Sequence, residues 1–88
     1  MNKELVDRFF KDNKLNVIPS KQQKKYEVFK YIADTFIEED VIYDESEIND
    51  ILSNIYPDYA IVRRYLVDYK FINRSEDCKK YWKEKVVK

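Results

Sequence analysis

The chain has no histidine and no glycine, and only one cysteine and two prolines in 88 residues. Without glycine there is no P-loop and no dinucleotide-binding fingerprint. Without histidine there is no His-based catalytic triad, and the usual zinc sites lose their nitrogen ligands. A lone Cys78 cannot close an internal disulfide and suits a reducing compartment, so a cytoplasmic location is expected. No apolar run is long enough to span a membrane, and the N-terminus lacks a signal-peptide pattern. Neither a metal nor a cofactor is expected.

What is present is charge and tyrosine. Charged residues make up 39% of the chain and hydrophobic ones 44%, and tyrosine supplies eight of the fourteen aromatics. Tyrosine suits half-buried positions with a wet hydroxyl end. A chain this short forms one domain, 1–88, with an economical core. The net charge is zero, but unevenly laid out. Residues 1–30 carry eight basic and four acidic side chains, residues 31–60 none and nine, and residues 61–88 nine and four. Two basic segments flanking an acidic one leave local potentials that can steer a partner, although the neutral total argues against strong nucleic-acid binding.

Apolar spacing sets out the elements. Leu5, Val6, Phe9 and Phe10 predict a helix over Asn2 to Lys11, broken at Asp12-Asn13-Lys14. Leu15 to Pro19 reads as an extended connection, because Pro19 forces Ile18 out of the helical region. Ser20 and Gln23 match a capping box, so Ser20 is the expected N-cap of a long helix ending near Glu38, with Phe29, Ile32, Ala33 and Phe36 inward. Lys21, Lys24 and Lys25 oppose the dipole of that helix in its first turns. Two explanations stand: an anion held at Ser20, Lys21, Lys24 and Lys25, or a merely solvated lysine face.

Val41-Ile42-Tyr43 reads as a short strand that later pairs with a hairpin. Asp44 and Glu47 form an acidic capping box for a helix from Asp44 to Tyr56, whose Ile48, Ile51, Leu52 and Ile55 make a clean stripe. Glu45 and Asn49 share another face of it. Tyr56-Pro57-Asp58 is a turn, and Asp58 caps the next helix. That helix buries Val62, Leu66 and Tyr69 and is expected to point Arg63 and Arg64 away from the seam, with Arg64 four residues before Asp68. It ends at Tyr69-Lys70 without a glycine, so Lys70 takes the C-terminal cap role at some strain. Phe71 to Arg74 and Lys79 to Lys83 read as the two strands of a hairpin around Ser75-Glu76-Asp77-Cys78, followed by a basic tail, Glu84 to Lys88. The expected fold is α+β, mainly α with a small β-hairpin: a winged-helix-like helix-turn-helix with an extra N-terminal helix. Its core holds Phe9, Phe29, Ile32, Phe36, Ile48, Leu52, Val62, Leu66 and Ile72.

Four blocks resemble the bacterial family catalogued as domain of unknown function 2087. Phe9-Phe10 with Leu15, Ile18 and Pro19 is similar to its F-F-x-x-x-x-L-x-x-I-P opening. Lys21, Lys24 and Lys25 match the basic run after that proline. Tyr43, Glu45, Glu47, Asn49, Ile51 and Leu52 match Y-x-E-x-E-V-N-x-I-L, with Ile48 for the usual Val. Asp58, Arg63, Arg64, Leu66, Val67, Asp68 and Arg74, then Tyr81-Trp82, match D-x-x-x-x-R-R-x-L-V-D and the closing R…Y-W. Lys70 stands where the family usually has glycine, and Cys78 falls near another customary glycine. The resemblance implies a winged-helix-like fold and, through members fused to ArsR-type regulators, a loose link to transcription. It implies no established activity.

Two functions compete. In the first, a transcription-related DNA-binding module, Arg63 and Arg64 enter the major groove while Arg74, Lys79 and Lys80 on the wing hold phosphates. The acidic helix with Glu45, Glu47 and Asp50 is the objection to it. In the second, a non-enzymatic interaction or regulatory module, the segregated charges dock the domain to another protein or to itself. An enzyme is the poorest reading. The carboxylates form no recognisable acid/base or metal arrangement, and Cys78 has no histidine to activate it.

Overall fold

Four helices and five strands occupy residues 3–83, the part of the chain that the computed structural model describes, in the order α1 (Lys3–Phe9), β1 (Phe10–Lys11), β2 (Lys14–Leu15), α2 (Gln22–Phe36), β3 (Ile42–Asp44), α3 (Glu45–Ser53), α4 (Tyr59–Asp68), β4 (Ile72–Arg74) and β5 (Lys80–Lys83). The expected tail, Glu84 to Lys88, lies outside the described residues. Strands β3, β5 and β4 form one antiparallel sheet in that spatial order. Helix α2, strand β3, the α3–α4 pair and the β4–β5 hairpin therefore follow one another as in a winged-helix-like arrangement. Helix α1 and the β1–β2 hairpin are additions in front of it.

The additions correct the first expectation. Helix α1 stops at Phe9, and Phe10-Lys11 pairs antiparallel with Lys14-Leu15. Asp12 and Asn13 take φ of 53° and 65° between them, a tight turn that short polar side chains tolerate. Pairing puts Phe10 opposite Leu15, and both are buried. The amide of Leu15 also bonds the Ile55 carbonyl at 2.8 Å, tying the hairpin to the end of α3. A continued helix could not have made that bond.

Helix α2 starts later than its local motif suggests. Lys21, not Ser20, is the N-cap, with φ −74° and ψ 133°, and no side chain caps it. The Ser20–Gln23 capping box does not form. The helix cap falls one residue past the serine, after buried Pro19. At the other end Ile37 leaves the helix in an extended conformation and buries its side chain, so α2 ends before Glu38. Phe36 is only half-buried, at the edge of the core beside Tyr31. The other eight expected core residues are buried.

The helix-turn-helix follows its caps. Asp44 Oδ1 accepts from the Glu47 amide at 2.8 Å, and Glu47 Oε1 accepts from the Asp44 amide at 3.0 Å. This reciprocal pair satisfies two donors at the start of α3. Helix α3 ends at Ser53, three residues short of Tyr56, with Asn54 as its C-cap. Asp58 Oδ1 accepts from the Ile61 amide at the start of α4. At the far end of α4 the Lys70 amide bonds Val67 O and the Phe71 amide bonds Leu66 O, each at 2.9 Å. That is a Schellman closure, and its left-handed residue is Lys70, at φ 65°. A side chain with a Cβ costs about 1–2 kcal/mol there.

Two stability tests follow. Lys70→Gly relieves the left-handed strain but frees the unfolded chain by about 0.4–1 kcal/mol, so it raises urea-unfolding stability by about 0.5–1 kcal/mol. Leu66→Ala, at a fully buried position, lowers it by about 2–5 kcal/mol. An unchanged midpoint for Lys70→Gly would contradict the strain argument.

Candidate functional site: a cleft between the second helix-turn-helix helix and the wing

The wing is held by its turn. Ser75 Oγ donates to Asp77 Oδ1 at 2.6 Å, and the Lys79 amide donates to the same oxygen at 3.1 Å. Those donors, the serine first, hold the Asp77 carboxyl below the usual carboxylate range. The Lys80 amide returns to Ser75 Oγ at 3.0 Å. Cys78 takes φ 61° in this turn, so both positions expected to depart from glycine adopt left-handed backbone. The Glu45 amide bonds the Lys79 carbonyl at 3.0 Å, which seats the wing on the first turn of α3.

Between α4 and this wing lies an open cleft of about 460 Å³, lined by Glu45, Arg63, Arg64, Arg74, Cys78 and Tyr81 among others. The two arginines of α4 separate here. Consecutive residues on a helix are about 100° apart, so only one of them can face straight outward. Arg64 does, with 80% of its side chain exposed and only a 3.7 Å contact to Asp68. Arg63 does not, which corrects the expectation that both point away. It is half-buried, its Nη1 donates to Asn49 Oδ1 on α3, and its guanidinium lies 5.6 Å from the centre of the Tyr81 ring. Arg63 therefore braces α3 against α4 and β5. Asn49, which the sequence places on one face with Glu45, is its acceptor.

The Tyr81 ring is buried and its hydroxyl opens on the cleft, where among the described residues nothing hydrogen-bonds it. Burial pushes its pKa above the ordinary tyrosine value, partly opposed by Arg63 and, more weakly, by Arg74. Cys78 and Glu45 act on the same hydroxyl in the upward direction. The hydroxyl thus stays protonated at neutral pH, amid the side chains that line the cleft. Arg74 Nη1 donates to Cys78 Sγ at 2.9 Å, a weak acceptor, and among the described residues Arg74 has no carboxylate partner. The remaining wing candidates, Lys79 and Lys80, are exposed.

The other expected residues scatter. Tyr43 is buried opposite Tyr81 across the β3–β5 pairing, and its hydroxyl accepts from the Glu38 amide. Glu47 and Asp58 are caps, and Trp82 pairs with Ile42. Ser20, Lys21 and Lys24 line a separate groove of about 430 Å³ at the start of α2, where the fold adds Arg8. Lys25 does not join them: its ammonium lies 5.0 Å over the Tyr65 ring. Among the described residues no group of three His, Cys, Asp or Glu side chains could hold a metal, and no helix is long and apolar enough to cross a membrane.

These features describe an α+β domain, compatible with a winged-helix-like arrangement, with an arginine-lined cleft at the base of its β4–β5 hairpin. Residues 14–83 match the model of the family described as an uncharacterized protein conserved in bacteria (DUF2087), and the chain belongs to that family. Neither the curated proteins nor the solved structures gave a match.

The division between the arginines is measurable. Arg63→Ala removes a charged hydrogen bond and a cation–π contact and lowers stability by about 1–3 kcal/mol. Arg64→Ala changes it by no more than about 0.5 kcal/mol. Equal losses for the two variants in urea unfolding would contradict the assignment.

Proposed function

We propose that this domain is a transcription-related module that binds duplex DNA, with α4 against the major groove and the β4–β5 wing along the backbone. The observation that carries the reading is the exposed Arg64 on the outward face of α4, next to a wing bearing Arg74, Lys79 and Lys80. A planar guanidinium free of a tight intramolecular partner suits guanine edges and phosphates alike, and the wing lysines supply point charges for the backbone. Arg63 leaves the set of base-reading candidates, because Asn49 and the Tyr81 ring hold its guanidinium in the cleft and off the outward face of α4. Its part in binding is to hold α4 at a fixed angle to α3.

The acidic first turn of α3 tempers this binding rather than opposing it outright. One of its two carboxylates, Glu47, is already turned back into the capping box. With zero net charge, the domain has little long-range attraction for DNA, so affinity rests on a few contacts and falls steeply with salt.

A mobility-shift titration with mixed-sequence duplex, repeated at several salt concentrations, tests the reading. The unmutated domain shifts duplex at low salt. The triple change Arg64→Ala, Lys79→Ala and Lys80→Ala lowers the log–log salt slope by about 2.7, about 0.9 for each lost phosphate contact, and leaves urea stability nearly unchanged. No shift by the unmutated domain at low salt and high protein concentration overturns it.

A further inference from the structure

We infer that the cleft between α4 and the wing is a binding site for a phosphate-class oxyanion, received by the Tyr81 hydroxyl between Arg63 and Arg74. The inference does not depend on the DNA reading. It starts from a tyrosine hydroxyl that no protein group engages. The Tyr81 ring is buried, its hydroxyl opens on the cleft without a hydrogen bond among the described residues, and Arg63, Arg74, Cys78 and Glu45 line the same cleft.

The charges around that hydroxyl point to an anion. Among the described residues neither Arg63 nor Arg74 has a carboxylate partner: one donates to an amide oxygen, the other to a sulfur. Arg63 is held in place by Asn49 and the Tyr81 ring, so one wall of the site is preorganised. Arg74 is exposed and free to close on a bound group. Three arginines, Arg63, Arg64 and Arg74, outnumber the two carboxylates that line the cleft, Glu45 and Asp68, and the forked donors of Arg63 and Arg74 match the oxygens of a phosphate group. A cleft of about 460 Å³ holds a small molecule as well as a single backbone phosphate. Glu45 also lines it and supplies an acceptor for a hydroxyl or amine on the same molecule.

Inorganic phosphate is the probe, measured by calorimetric titration and by thermal shift against sodium chloride at equal ionic strength. The unmutated domain is stabilised more by phosphate than by chloride. Tyr81→Phe keeps or raises the melting temperature without ligand, because the hydroxyl has no internal partner to lose, yet weakens phosphate binding about tenfold. Arg74→Gln, at an exposed position, weakens it at least as much. Equal effects of phosphate and chloride on the unmutated domain overturn the site. So does undiminished phosphate binding by both variants, which would move the anion to the groove at Arg8, Lys21 and Lys24. A duplex mobility shift in the same buffers separates the source of the phosphate. Displacement of duplex by phosphate at constant ionic strength identifies the backbone as the natural occupant. Phosphate binding with duplex retained, or with no duplex binding at all, upholds the site for a free small molecule, and in the last case the DNA reading alone fails.

Discussion

The pairing of β3 with β5 is the constraint on which the rest of the domain depends. It joins a strand that precedes the helix-turn-helix to one that follows it, and brings Tyr43 against Tyr81 in the core. Its last residue, Asp44, does two things at once. It closes the strand opposite Lys80, and it caps α3. The next amide, Glu45, reaches the wing through Lys79 O. Sheet register, helix start and wing position are therefore set within two consecutive residues. Because side chains alternate along a strand, a slip of one residue would turn Tyr43 and Tyr81 out of the core and unseat the wing together.

The same constraint builds the cleft. Tyr81 reaches the interior because of its register, and its ring then offers a face to Arg63. Arg63 is consequently drawn inward from the edge of α4 while Arg64, one step of about 100° further round, is left to solvent. Neighbours in sequence thus carry different work, one bracing the α3–α4 angle and the other free for a partner. The positive-φ positions serve this geometry too. Lys70 turns the chain from α4 into β4, and Cys78 turns it from β4 towards β5. Both do so without the glycine such turns favour, so the chain stores strain at both ends of β4.

Much of the fold was legible because it is local. The capping box at Asp44 and Glu47, the cap at Asp58, the Ile48–Leu52 stripe and the left-handed Lys70 all depend on residues within one or two turns of each other. The failures were also local signals. Ser20 had the right partner in Gln23, but α2 starts one residue later, with Lys21 as its N-cap. Phe10 fitted the helical period of α1, but its pairing with Leu15 and the bond from Leu15 to Ile55 made it a strand. Arg63 read as solvent-facing because charge is expected outside, yet a guanidinium can lie over a ring and keep its hydrogen bonds.

The sequence by itself determined which segments are helices, where two of them begin, and which apolar residues fill the centre, since these follow from spacing and from side chains that bond their own backbone. Family motifs also marked the residues that matter to the cleft, Glu45, Asn49, Arg63, Arg74 and Tyr81, without saying what joins them. Only the tertiary structure decided that they meet. They come from two helices and both strands of the wing. Their juxtaposition depends on strand register and on the angle between α3 and α4, which arise from contacts between residues up to about forty positions apart and leave no local periodic trace.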